Sequence, residues 1–177
     1  MKMVKGLYHY LREAYKKPNQ TVKETLKQKI VGWRKSETVV RVNQPTRLDR
    51  AHALGYKAKP GFVVVRVKQR KGGRRRPLYG RRGRKPRKAG LAHFTHGKSL
   101  KWIAEEKAWR KFRNMEVLNS YMAGEDGQYE FYEVILVDPN NPAVKKDVST
   151  KWISAAANRH RVLKGLTSAG KKSRGLK

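Results

Sequence analysis

Thirteen carboxylates and five histidines are the groups with which this 177-residue chain could do acid–base or metal chemistry. The histidines, His9, His52, His93, His96 and His160, show no HExxH arrangement and no other metal-ligand spacing. Glu105, Glu106, Glu125 and Asp126 would be the acids of a carboxylate–metal nuclease. Adjacent glutamates on a helix, however, point in different directions. The acidic turn Gly124-Glu125-Asp126-Gly127, with Glu130, Glu133 and Asp138 nearby, lacks both a histidine partner and EF-hand spacing. The glycine-bearing run GRRGRKPRKAG lacks the Ser/Thr and the preceding strand of a phosphate loop, and no GxSxG occurs. The chain has no cysteine, which excludes disulfides and Cys-based zinc sites. The sequence therefore predicts no catalytic constellation, no metal and no cofactor. The chemistry that remains belongs to 44 Lys and Arg side chains, and it is the binding of anions.

Those cations are densest from Arg66 to Lys88, where 13 of 23 residues are Lys or Arg and none is acidic. Such a segment has almost nothing apolar to set against its ordering entropy, and its like charges repel, so alone it should be extended. Gly72 and Gly73 free its backbone, while Pro77 and Pro86 keep it stretched. Arginine outnumbers lysine within residues 74–84, which favours fitting into shaped grooves over simple neutralisation. Tyr79, Phe94 and Trp33 are candidate stackers on bases.

The formal charge of +31 and pI near 10.8 point to a nucleic-acid partner before an anionic membrane. No stretch approaches the roughly 18 uninterrupted apolar residues of a spanning helix. Arg12 and Glu13 interrupt the N-terminal segment, which is not a signal-peptide core, so an intracellular protein is expected. Charge is uneven: residues 51–104 hold 17 basic and no acidic side chains, whereas residues 105–147 hold 9 of the 13 acids. This unevenness suggests separate faces, with the acidic block 105–147 turned to solvent or to neighbouring proteins.

The elements that must carry these groups follow from periodicity. Residues 3–17 read as an amphipathic helix ended by Pro18. Thr21 and Glu24 form a capping box that opens a second helix with Leu26, Ile30 and Trp33 on one side. Val39 to Val42 is a short strand or an extended connector. Thr46 is expected to cap a short helix that Gly55 stops, with Arg47 and Arg50 on one side of it. Those two arginines either pair with Asp49 and its surroundings or grip phosphate. Gly61 to Lys68 is the clearest strand, with Val63, Val65 and Val67 on one face and Phe62, Val64, Arg66 and Lys68 on the other. Ser99 caps a helix with Trp102 and Trp109, whose indoles are expected in the core. Glu116 to Tyr121 and Phe131 to Val137 form a hairpin. A helix is expected near Lys151 to Asn158, then a loosely structured basic tail. The expected organisation is one α+β domain over 1–177, a small mainly antiparallel sheet packed with helices, with a basic arm at 69–97 and a basic tail at 157–177.

The blocks PTRLDRAHALGYKAKPGFVVVRVKQRKGGRRRP (45–77), KSLKWIAEEKAWRKFRNMEVLNSY (98–121), GEDGQYEFYEVILVDP (124–139) and GLTSAGKKSRGLK (165–177) closely resemble the large-subunit ribosomal protein fifteen family of the archaeal/eukaryotic "e" type. With YHYLREAYKKP near the start, the resemblance spans almost the whole chain. Eukaryotic members resemble it but continue with a further basic tail, so an archaeal-like version is expected. Met122-Ala123 stands where the family carries an aromatic–aliphatic pair. The resemblance implies a structural, non-enzymatic constituent of the large ribosomal subunit, in the cytoplasm, with large-subunit ribosomal RNA and neighbouring ribosomal proteins as partners. It implies no membrane and no small-molecule substrate.

The residues assigned to RNA are Lys23, Lys27, Trp33, Arg34 and Lys35 on the second helix, then Arg47, Arg50, Lys57 and Lys59. Along the strand and arm they are Arg66, Lys68, Arg70, Lys71, Arg74, Arg75, Arg76, Arg81, Arg82, Arg84, Lys85, Arg87 and Lys88, followed by Lys98. In the tail they are Arg159, His160, Arg161, Lys164, Lys171, Lys172 and Arg174. Two other classes share parts of this pattern. A DNA-compacting protein would show repeats or a dimerisation element, and a metal-dependent nuclease would need acids beside the basic groove.

Overall fold

Four β-branched and aromatic runs build the frame. The structure, a computed structural model, describes residues 4–74, 82–85 and 95–176. Strands β1 (Val39–Val42), β2 (Phe62–Arg70), β3 (Glu116–Glu125) and β4 (Tyr129–Val137) form one antiparallel sheet in the order β1-β2-β4-β3. Residues 131–137 of β4 are buried throughout, because helices cover both faces of the strand. That double cover explains why FYEVILV reads as a nearly continuous apolar run rather than an alternating one.

Among the described residues six helices surround the sheet: α1 (Leu7–Lys16), α2 (Gln20–Lys35), α3 (Leu48–Ala53), α4 (Leu100–Lys111), α5 (Pro142–Lys146) and α6 (Ser168–Ser173). On one face Ile30 and Trp33 of α2 and Ala51 of α3 pack on Tyr121, Phe131 and Ile135. On the other, Trp102, Ala108 and Trp109 of α4 meet Val65, Val67, Val134 and Leu136, joined by Val162 and Ala169 of the C-terminal segment. The face assignment of β2 and the core placement of both α4 indoles agree with the sequence. So does Ser99, whose hydroxyl accepts from Trp102 N at 3.3 Å and caps α4.

Several boundaries differ, each for a local reason. Helix α2 starts two residues early, because Asn19 rather than Thr21 is its cap and accepts from Val22 N at 3.0 Å. Thr46 does not cap α3; its hydroxyl donates to Glu133 Oε1 at 2.5 Å, and Gly55 (φ 95) ends the helix as expected. The expected helix near Lys151–Asn158 is two 3₁₀ turns, Lys151–Ser154 and Ala156–Asn158. Residues 159–176 are not a loose tail: they fold under α4 and end in α6, with Arg161, Val162, Thr167, Ala169 and Gly170 buried.

Candidate nucleic-acid interface

Where the acids go decides what the surface is. The block 105–147 does not form the open acidic surface expected from charge spacing, because four of its nine carboxylates are buried and Glu125, Asp126 and Asp147 are held in ion pairs. Glu105, Glu106, Glu116 and Glu133 are all buried. Glu133 accepts from Thr46 N at 2.9 Å, from the Thr46 hydroxyl and from the Tyr121 hydroxyl. Burial, and then this carboxylate, push the Tyr121 phenol well above its ordinary range. Glu105 accepts from Ser120 and, at 2.6 Å, from Thr167. Glu106 is held by Lys98 at 2.5 Å and Arg110 at 3.6 Å, and Glu116 accepts from His160 N at 2.8 Å. Asp126 organises the β3–β4 turn, accepting from Gln128 N and Tyr129 N at 2.7 Å, while Lys57 holds Asp147 well below the usual carboxylate range. With its acids spent on the fold, the protein presents a surface dominated by cations.

The sequence-assigned cations fall into three groups. The first is exposed: Lys23, Lys27 and Lys35 on the outer side of α2, then Arg50, Arg70, Arg74, Arg82, Arg84 and Lys85, and finally Arg159, Lys172 and Arg174. The second reaches the surface but is tied to the fold. Arg34 pairs with Asp126 at 2.7 Å, Lys57 with Asp147 at 2.5 Å, Lys59 with Asp147 at 3.9 Å and Lys71 with Glu125 at 2.6 Å. Lys98 lies over the Trp102 ring at 4.8 Å as well as on Glu106, and Lys164 Nζ donates to Ala157 O at 3.2 Å. Lys68 Nζ donates at 2.8 Å to the carbonyls of both Arg34 and Ser36, closing the end of α2 onto β2. Half-buried Arg66 stacks on Trp33 at 4.7 Å, His160 is half-buried at φ 57 against the Trp109 ring, and Lys171 is partly covered.

The third group is interior, and here the sequence assignment gives way. Trp33 is 6% exposed and packs against Phe131 at 5.4 Å, so its ring faces the core and not a base. Arg161 is 7% exposed; its Nη1 donates to the carbonyls of Val117 and Leu118, and its Nη2 donates to Leu166 O at 3.2 Å. Its guanidinium also lies 5.0 Å from the Trp152 ring. Arg75, Arg76, Arg81, Arg87 and Lys88, with the candidate stackers Tyr79 and Phe94, lie outside the described residues.

Of the alternatives left open by sequence for Arg47 and Arg50, pairing with Asp49 is the one seen for Arg47. Arg47 pairs with buried Asp49 at 3.4 Å and stacks on the Tyr15 ring at 4.7 Å. Both arginines line an open cleft of about 480 Å³ together with Arg12 and Lys16 of α1 and Lys101 of α4. Those last three were not among the assigned residues. The i, i+4 spacing of Arg12 and Lys16 puts them on one side of a helix and was legible; their meeting with Lys101 is a product of the tertiary fold.

The described α+β fold buries four of the acids of block 105–147 and leaves most of the assigned cations at the surface. The family model described as Ribosomal L15 matches residues 6–177, and the chain belongs to that family of large-subunit ribosomal proteins. Membership carries a structural role in the ribosome and not an enzymatic one. Among the described residues, no group of three or more His, Asp or Glu could hold a metal ion, and no helix is long and apolar enough to cross a membrane.

Proposed function

We propose that the protein binds and stabilises folded large-subunit ribosomal RNA in the cytoplasm, supporting translation, through its arm (69–97), the outer side of α2 and the exposed cations of residues 157–177. The observation that carries this reading is the fate of the carboxylates. A chain with +31 formal charge that also buries or pairs most of its acids is left with cations outside and little to neutralise them. Lys and Arg on such a surface release counterions from phosphate, and Arg adds the planar fork that suits shaped RNA. Neighbouring ribosomal proteins would meet this cationic surface or exposed apolar side chains such as Val148 and Leu176.

Affinity for purified large-subunit rRNA and for duplex DNA of equal length, measured at the same salt, tests the reading. Tighter binding to rRNA that persists at salt stripping simple polycations is the expected result. Equal affinities, or a preference for DNA, would make the protein a general polyanion binder.

A further inference from the structure

Five cations from three segments of the chain converge on the cleft between α1, α3 and α4: Arg12, Lys16, Arg47, Arg50 and Lys101, with Asp49 as the acid among them. Resting on the reading that rRNA is the partner, we propose that this cleft is a built site for crowded backbone phosphates, where folded RNA brings two or more phosphodiesters together.

Its construction argues for a ligand. Arg12 and Lys16 are like charges at i, i+4, an arrangement that destabilises an isolated helix, and both are exposed at the cleft. Arg47 is held in place from two sides by the buried Asp49 carboxylate and the Tyr15 ring. Burial pulls the Lys101 ammonium below its ordinary value, and Arg50 and Lys172 act in the same direction against Glu105. An anion in the cleft would reverse that penalty. A concave, predominantly cationic surface of this kind focuses the field on whatever enters it.

The lining also says which part of RNA it suits. Two tyrosines line the cleft, and both hydroxyls are committed: Tyr121 donates to Glu133, and Tyr132 donates to Glu130 at 2.5 Å. The lining includes no Asn, Gln, Ser or Thr, so it lacks the neutral donors and acceptors that read base edges. What it offers is guanidinium forks and ammonium groups, which match phosphate oxygens. One phosphodiester brings a single negative charge and would leave most of these cations facing one another. A turn or junction of the backbone brings several.

The test compares two triple variants of the full chain with the same charge change. One carries Arg12→Gln, Lys16→Gln and Arg50→Gln; the other carries Lys145→Gln, Lys146→Gln and Lys151→Gln, on exposed residues that do not line the cleft. Unfolding midpoints of both are compared with the parent, so that a folding defect is seen separately. At matched salt the cleft triple is expected to lose about tenfold or more in rRNA affinity relative to the control triple, the equivalent of one charge-assisted contact. Tripolyphosphate should raise the titration midpoint of ¹³C-methylated Lys101 in the parent and not in the cleft triple. Equal losses by the two triples would overturn the inference and leave the rRNA reading standing. Tripolyphosphate binding with equal rRNA losses would make the cleft a free-oligophosphate site and overturn it too, as would displacement of tripolyphosphate by an acidic peptide but not by rRNA. If the parent shows no preference for rRNA over duplex DNA, the functional reading fails by itself, and the phosphate-backbone assignment fails with it.

Discussion

Residues 82–85 and 159–174 are both rich in cations and free of acids, yet one stays at the surface while the other becomes part of the core. The difference lies in what is placed between the charges. Residues 82–85 contain only Arg, Gly and Lys, so nothing repays the cost of ordering them without an anion. Residues 159–174 interleave Val162 and Ala169, which join the cluster under α4 and are almost wholly buried. Two polar links fasten them: Trp102 Nε1 donates to Val162 O at 2.8 Å, and Thr167 Oγ1 donates to Glu105 Oε2 at 2.6 Å. Charge density therefore does not divide arm from fold in this protein; apolar pins with satisfied polar partners do.

The sharpest way to break the comparison is at Arg161, the cation most fully converted to structural use. Strand β3 shifts register between Val117 and Asn119, and Arg161 donates to the carbonyls of Val117 and Leu118 at that irregularity. Arg161→Ala would leave these acceptors under-satisfied and remove the stack on Trp152, so a loss of about 3–5 kcal/mol is expected in urea unfolding of the free protein. A change below about 0.5 kcal/mol, the range of an ordinary surface substitution, would put Arg161 back among the surface cations.

A second, smaller break is Gly170→Ala. An added Cβ would lie 2.7 Å from Gly165 Cα, backbone against backbone, and Gly165 is itself in the left-handed region at φ 66. Neither chain segment can move aside as a flexible side chain would. The expected cost is about 1–3 kcal/mol, read as a lower unfolding midpoint, with loss of near-ultraviolet signal from the Trp102 environment.

The sheet was legible because β-branched and aromatic runs bounded by Gly and Pro leave few alternatives, as in β2 and β4. The hairpin and the α4 cap followed from equally local chemistry. What was not legible depended on long-range pairing. Nothing near Thr46 reveals that its hydroxyl belongs to Glu133, 87 positions away, rather than to α3. Likewise Arg161 resembles its neighbours Arg159 and Lys164 in sequence, and only the carbonyls of β3 distinguish it. The acidic block misled for the same reason: spacing shows that acids are clustered, but not that the sheet and α4 close over them. Of the candidate site, the exposed cations of α2 could be read from periodicity, whereas the cleft joining Arg12, Lys16 and Lys101 required the fold.

The exposed side of the comparison is sharpened by neutralising Arg82, Arg84 and Lys85 to Gln together. The unfolding free energy of the free protein should stay within about 0.5 kcal/mol of the parent, as for ordinary surface substitutions. The plot of log affinity for rRNA against log salt should become shallower by roughly 2–3, the sum of three phosphate contacts. An unchanged slope would show that these three side chains touch no phosphate, and a large stability loss would show that they belong to the fold.

The smallest expected effect concerns Glu105, the buried anchor of the C-terminal segment. Burial raises its carboxyl above the ordinary value of 4.5, although Ser120 and Thr167 donate to it and Lys101 and Arg161 lie near. Below about pH 4.5 the group is protonated in folded and unfolded chains alike, and its contribution to stability is fully present. As the pH rises, the unfolded chain ionises first and binds fewer protons than the folded one, so stability falls until the elevated folded value has been passed. Glu105→Gln removes the titration while keeping an amide that can accept from one hydroxyl and donate to the other. The difference between the two stability curves should therefore grow with pH above 4.5, in favour of the variant. Chemical unfolding at a series of pH values in the free protein measures it. Parallel curves would mean that the anchor is ionised at little cost, and that the segment is pinned by Val162 and Ala169 without help from this carboxyl.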